Sequence, residues 1–160
     1  MTTNVLRTAL LAGAVALGLL ALFLWVRGGV GTAPAVLADP VRTPGVLNPD
    51  VTQATIRRTI CRRGWTRTVR PPTDYTNALK LRQMRLYREH GPPSGYQEDH
   101  LISLELGGDP TDPRNLWPEP YPRASAVDRI ENDLNARVCS GGLSLDEAQR
   151  KEAELKHTQG

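Results

Sequence analysis

The pattern of apolar and polar positions changes several times along the chain. Thr8 to Val26 is an uncharged, almost wholly apolar run bounded by Arg7 and Arg27. Its length approaches the roughly 20 residues a helix needs to cross a bilayer core. The preferred reading of residues 1–27 is a retained transmembrane anchor. A cleaved signal peptide is the alternative, although its candidate site, Val36-Leu37-Ala38, lies far beyond the apolar run. A buried soluble helix is a third reading, disfavoured because nothing else in the chain could enclose so apolar a helix. Either favoured reading puts the remainder outside the cytoplasm, membrane-anchored or, if residues 1–38 are removed, secreted. Residues 28–49 are rich in Gly, Pro, Ala and Val without a helical period and read as a linker.

From Asp50 onward the pattern predicts a small α+β domain. Asp50-Val-Thr-Gln53 has capping-box spacing and predicts a short helix to about Cys61, with Val51, Ala54 and Ile60 inward. Trp65 to Val69 alternates and predicts a short strand, stopped by Pro71-Pro72. Thr73 or Asp74 can cap a helix over about 75–89 that buries Leu79, Met84, Leu86 and Tyr87. Ile102, Leu104 and Leu106 alternate with Leu101, Ser103 and Glu105, which predicts a strand burying one face. Gly107-Gly108 and the Asp/Pro-rich turn after it would fold the chain back into a second strand at Asn115-Leu116-Trp117. Pro118, Pro120 and Pro122 then end that strand. Val127, Ile130, Leu134 and Val138 form a helical stripe that stops at Gly141-Gly142. Ser144 to Glu147 is a second capping box, opening a last amphipathic helix with Ala148 and Leu155 inward. The expected domain covers 50–142, followed by a C-terminal helix and tail over 143–160, with His157 in the polar tail.

A net charge of +3 conceals a strong polarity. Arg57 to Arg88 holds ten basic residues and one acid, whereas Glu89 to Gly160 holds fourteen acids and seven bases. The basic block could approach phosphates, neutralise the acidic half of the same fold, or lie near anionic lipid. The two cysteines, Cys61 and Cys139, would close a large loop in an oxidising compartment; two unpaired buried thiols are the other reading. A Cys-ligated zinc site is disfavoured, since no Cys-x-x-Cys occurs, and so is a serine hydrolase, since no Gly-x-Ser-x-Gly occurs.

The candidate chemistry begins at Glu98-Asp99-His100. A carboxylate can ligate a hard cation, and an imidazole beside it can take a proton near neutral pH. The Gly-Gly turn would bring Asn115 within reach of His100. Asp99-His100, Gly107-Gly108 and Asn115-Leu116, followed by a helix, resemble the ββα-metal motif of the HNH endonuclease family. Over about 48–142, Thr59-Ile-Cys61, Gly64-Trp65-Thr-Arg-Thr-Val-Arg-Pro-Pro72, Tyr75-Thr-Asn77, Asn115-Leu-Trp-Pro-Glu119 and Val138-Cys139-Ser-Gly141 also resemble small secreted or membrane-anchored actinobacterial HNH-like proteins.

The resemblance implies a ββα-metal core near 96–139 and metal-dependent hydrolysis of phosphodiester bonds in DNA or RNA. On the matching positions, His100 is the general base that activates water, Asn115 holds its ring, and Asp99 is a metal ligand. The family usually supplies a further ligand early in the helix, where this chain has Ala124 and Ser125. Asp128 is the expected substitute, with Glu119 and Glu131 as alternatives. An oxygen-only site would suit Mg²⁺ or Mn²⁺ better than Zn²⁺. Arg62, Arg63, Arg67, Arg70 and Arg114 are the expected nucleic-acid contacts, positioning phosphates without reading sequence. The competing expectation is a catalytically degenerate HNH-like module that binds an extracytoplasmic partner. Asp99-His100 would then be an inherited hydrogen-bonded turn.

Overall fold

A computed structural model describes residues 36–159; the expected anchor and the first part of the linker lie outside them. No helix among the described residues is long and apolar enough to cross a membrane. Among the described residues the fold is α+β, with helices α1 (Trp65–Val69), α2 (Thr73–Leu86), α3 (Tyr121–Ser140) and α4 (Leu145–Thr158) around one antiparallel strand pair. Strand β1 (Tyr96–His100) runs against β2 (Leu116–Pro120), with Asp99 opposite Trp117 and His100 opposite Leu116.

The first strand ends where the alternating pattern suggested that it should begin. Leu101 N–H still reaches Asn115 O, at 2.8 Å. Beyond it, the Asn115 side chain replaces the partner strand. Its Oδ1 accepts from Ile102 N–H at 2.9 Å, and its Nδ2 donates to Ile102 O and to Asp109 O, each at 3.0 Å. Residues 101–115 are therefore a long pinned loop with a tight turn at Leu104–Leu106, not a hairpin arm. Leu101, Ile102, Leu104 and Leu106 are all buried, so apolar side chains leave the loop in more than one direction. Gly108 is required at its base: a Cβ there would stand 1.8 Å from Ile102 O.

Two further expectations are corrected. Trp65–Val69 is helical, because Trp65 and Val69 also satisfy an i, i+4 spacing and both are half-buried on one side. The helix expected after Asp50 is only a turn over Ile56–Arg58; Val51 and Ile60 are buried as expected, but Ala54 is exposed. Gln53, counted as part of that capping box, instead accepts from Leu145 N–H at the start of α4, at 2.7 Å. On α2, Leu79 and Met84 are buried while Leu86 is exposed. Pro118 lies inside β2 opposite Glu98, tolerated because a two-stranded sheet consists only of edges.

The main core joins Val51, Ile56, Ile60, Ile102 and Leu106 to Leu134 and Val138 of α3 and to Leu145 and Ala148 of α4. The Cys61 and Cys139 sulfurs are at bonding distance, with Cα atoms 5.5 Å apart, tying the end of α3 to the chain before α1. Part of the segment that composition reads as linker is packed. Ala38 and Thr43 are buried, Ala38 N–H donates to Lys156 O, and Leu47 bridges to Gly108.

Candidate active site

Where β1 meets the pinned loop, a cleft of about 350 Å³ opens against α3. It is lined by Arg70, Gln97, Asp99, His100, Glu105 and Asp128, among others. Four of the expected residues thus converge: Asp99, His100, Asp128 and Arg70.

His100 is 6% exposed, and its Nε2 lies 3.1 Å from Pro110 O. A carbonyl can only accept, so Nε2 carries the hydrogen and Nδ1 keeps its lone pair. Burial lowers the His100 pKa, against the opposing pull of Asp99 and the Pro110 carbonyl. A neutral ring with one free nitrogen is the form a general base needs.

Asn115 does not hold the ring as expected. It is fully buried, and its amide is spent on Ile102 and Asp109. By fixing Asp109 it fixes the next carbonyl, Pro110, and so sets the imidazole through one peptide. Asn115 is a positioning residue rather than a direct partner.

Asp99 has an unforeseen partner. Lys156 of α4 is 0% exposed, and its ammonium donates to Asp99 Oδ2 at 2.8 Å, to Glu131 Oε1 at 2.6 Å, and to His100 O. Glu152 Oε1 stands 3.6 Å away, and the Glu152 carboxylate also accepts from Ser103 N–H. Gln97 Nε2 donates to the other Asp99 oxygen at 3.1 Å. Burial alone would raise the Asp99 pKa, but the ammonium outweighs it and holds the carboxyl at about 2. For Lys156 the balance is the same: burial opposes its charge, and Asp99, Glu131 and Glu152 together hold its pKa well above the ordinary value.

One cation among so many carboxyls leaves some of them neutral. Glu119, paired across the sheet with Gln97, finds no hydrogen-bond donor for either oxygen. Burial first, then the Asp99 charge, raises its pKa to about 9, so it is a carboxylic acid that can donate to Asp99. Burial likewise raises Glu131 and Glu152, against the pull of Lys156. On the other strand face, both Glu98 oxygens also lack a donor, and burial raises that group to about 8.

These contacts decide whether a divalent cation fits. Asp99 and Glu131 already share one ammonium, and Asp128 stands exposed at the rim. Among the described residues, no group of three or more His, Cys, Asp or Glu is arranged to hold a metal. The donor set as it stands does not fit a resident metal ion. The charge a metal would bring to Asp99 is supplied by Lys156.

The expected phosphate contacts divide. Arg62, Arg63, Arg67 and Arg70 are all exposed. Arg70 lines the cleft, while Arg62 and Arg63 line a second depression of about 270 Å³ that shares Glu105 with it. Arg114 is exposed too, but its guanidinium is committed to Asp112, at 3.0 and 2.7 Å. Sequence reasoning missed Lys156 and Glu152 altogether. Their signal was spacing: with Leu145 and Ala148 they continue one helical stripe, which makes the buried face of α4 polar in its second half.

Compared with protein-family models, with curated proteins and with solved structures, the chain matches none.

Proposed function

We propose that this cleft cleaves phosphodiester bonds of nucleic acid, with His100 as the general base. The observation that carries the reading is the His100 ring: Nε2 is held by Pro110 O, Nδ1 is left with its lone pair, and the ring lines an open cleft beside Arg70. A base of this kind contributes typically 10²–10⁴-fold. A guanidinium in the same cleft can meet the charge that develops on a phosphorus centre. Arg62 and Arg63 border the adjoining depression and would hold flanking phosphates. The strand–loop–strand–helix order, with Asp99-His100 at the end of β1 and Asn115 pinning the loop, supports reading the core as HNH-like.

The apolar run at 8–26 supports an anchored or secreted protein, and a Cys61–Cys139 bridge is compatible with an oxidising compartment. The second reading is a partner-binding module without turnover, favoured by the Lys156–Asp99 ion pair at the position of the expected metal ligand. Incubation of the full chain with RNA and with plasmid separates the two. Cleavage that His100→Ala abolishes supports the enzyme. Binding without cleavage, lost when Arg62, Arg63, Arg67 and Arg70 are neutralised, supports the module.

A further inference from the structure

Resting on that reading, we infer that the cleft cleaves RNA without a metal ion, using the substrate's own 2′-hydroxyl as nucleophile, with Arg70 as the cation and Glu105 as the proton donor. The inference follows from what the cleft holds. Hydrolysis of DNA requires a water to be activated and held, a task commonly given to a metal ion. Here Asp99 and Glu131 are turned to the Lys156 ammonium, whose three protons go to Asp99, Glu131 and His100 O, so Lys156 has none left for a substrate. Arg70 is the cationic side chain among the residues lining the cleft that His100 also lines.

RNA removes the need to hold a water. Its 2′-hydroxyl is already attached beside the phosphorus, and a well-oriented intramolecular nucleophile reaches effective molarities of about 10⁵–10⁸ M. A base, a cation and an acid are then sufficient, and all three line one cleft as His100, Arg70 and Glu105. Glu105 is half-buried; burial raises its pKa and Arg70 opposes, a shift in the direction a proton donor needs.

The step balances. The 2′ oxygen bonds to phosphorus as its proton passes to His100 Nδ1. The phosphorus–O5′ bond breaks, and the Glu105 carboxyl gives its proton to the departing O5′. The products are a 2′,3′-cyclic phosphate and a free 5′-hydroxyl, with no oxidant, reductant or metal consumed. Glu105 borders both depressions, so the strand could pass from Arg70 toward Arg62 and Arg63.

The test uses the full oxidised chain in mild detergent, with a single-stranded RNA oligonucleotide, its 2′-O-methyl form and its DNA counterpart, each with EDTA, Mg²⁺ or Mn²⁺. The expected result is RNA cleavage that persists in EDTA and leaves cyclic phosphate ends, with both other oligonucleotides intact. Arg70→Gln should lower the rate roughly 100-fold, as loss of a transition-state donor does, and Glu105→Gln by about 10²-fold. Both side chains reach solvent, and circular dichroism of each variant checks that it is folded. Cleavage that needs Mg²⁺ or Mn²⁺ and includes the DNA, yet is lost in His100→Ala, would overturn this inference while leaving the proposed function standing. Full activity in Arg70→Gln would overturn the role given to Arg70. No cleavage of any substrate by the folded chain would overturn both readings.

Discussion

Replacing Lys156 with methionine isolates the least expected interaction in the fold. Methionine keeps most of the volume and removes the ammonium, so the effect reports charge rather than a cavity. The Asp99 carboxyl stands at about 2 against an ordinary 3.8, a shift worth roughly 2–3 kcal/mol at about 1.4 kcal/mol per unit. That figure is already net of the burial cost. Without Lys156 the burial remains and the compensation does not, and unpairing a buried charge costs about 3–5 kcal/mol. For a domain of this size such a loss lowers Tm by on the order of 10–20 °C. The sign fixes the conditions. Because the folded pKa is depressed, the stabilisation is complete above the ordinary carboxylate pKa and fades as pH falls from about 4 to about 2. Thermal unfolding of wild type and Lys156→Met should therefore be followed by circular dichroism at neutral pH. Adding Asp99→Asn to Lys156→Met removes the orphaned charge and should recover part of the loss, a coupling that independent sites do not show. A single variant melting within a degree or two of wild type would refute the reasoning, as would a double variant no more stable than the single one.

Three other predictions concern the same frame. The Cys61–Cys139 bridge spans 78 residues, and loop-closure entropy gives such a link up to about 4.5 kcal/mol; reductant should lower Tm by about 10 °C or more, and equal melting in both states would remove the bridge from the account. Glu98 and Glu119 keep their protons to about 8 and about 9 when folded but release them near 4.5 when unfolded, so stability falls with rising pH across that window. The opposing contribution of His100, whose folded pKa is depressed, acts only below about 6.5. Denaturant midpoints should consequently fall from pH 6.5 to 8, and Glu98→Gln or Glu119→Gln should flatten the slope; an unchanged slope in both variants contradicts the assignment. Asn115→Ala leaves Ile102 and Asp109 backbone groups unpaired in the interior, which costs about 1–3 kcal/mol for each stranded group, and chemical denaturation should register at least that loss.

Much of this site was legible in the chain because its parts are close in sequence. Asp99 and His100 are adjacent, Asn115 closes the loop they begin, and the stripe Val127, Leu134, Val138 sets α3 against them. Arg70 could be guessed from its basic block. What could not be read is how long-range contacts redirect those groups. Asn115 was expected on the imidazole, but its amide is better used replacing a strand that stops at His100. Ile130 seemed to complete an apolar stripe, yet it is 38% exposed and its neighbour Glu131 turns inward, because Lys156 waits there. Buried ion pairs break the rule that inward positions are apolar: the spacing along α4 marks Lys156 as inward, but its partners Asp99 and Glu131 lie on β1 and α3. The strand expected at 65–69 failed for a simpler reason: five residues fit both periods, and the left-handed Gly64 before them opens a helix.

The central claim is that His100 does chemistry in this cleft. The most direct measurement is the rate of RNA cleavage by the full oxidised chain beside His100→Ala, with both proteins shown by circular dichroism to be folded. The account predicts turnover by the wild type and a loss of about 10²–10⁴-fold in the variant. Equal rates in the two proteins would contradict it.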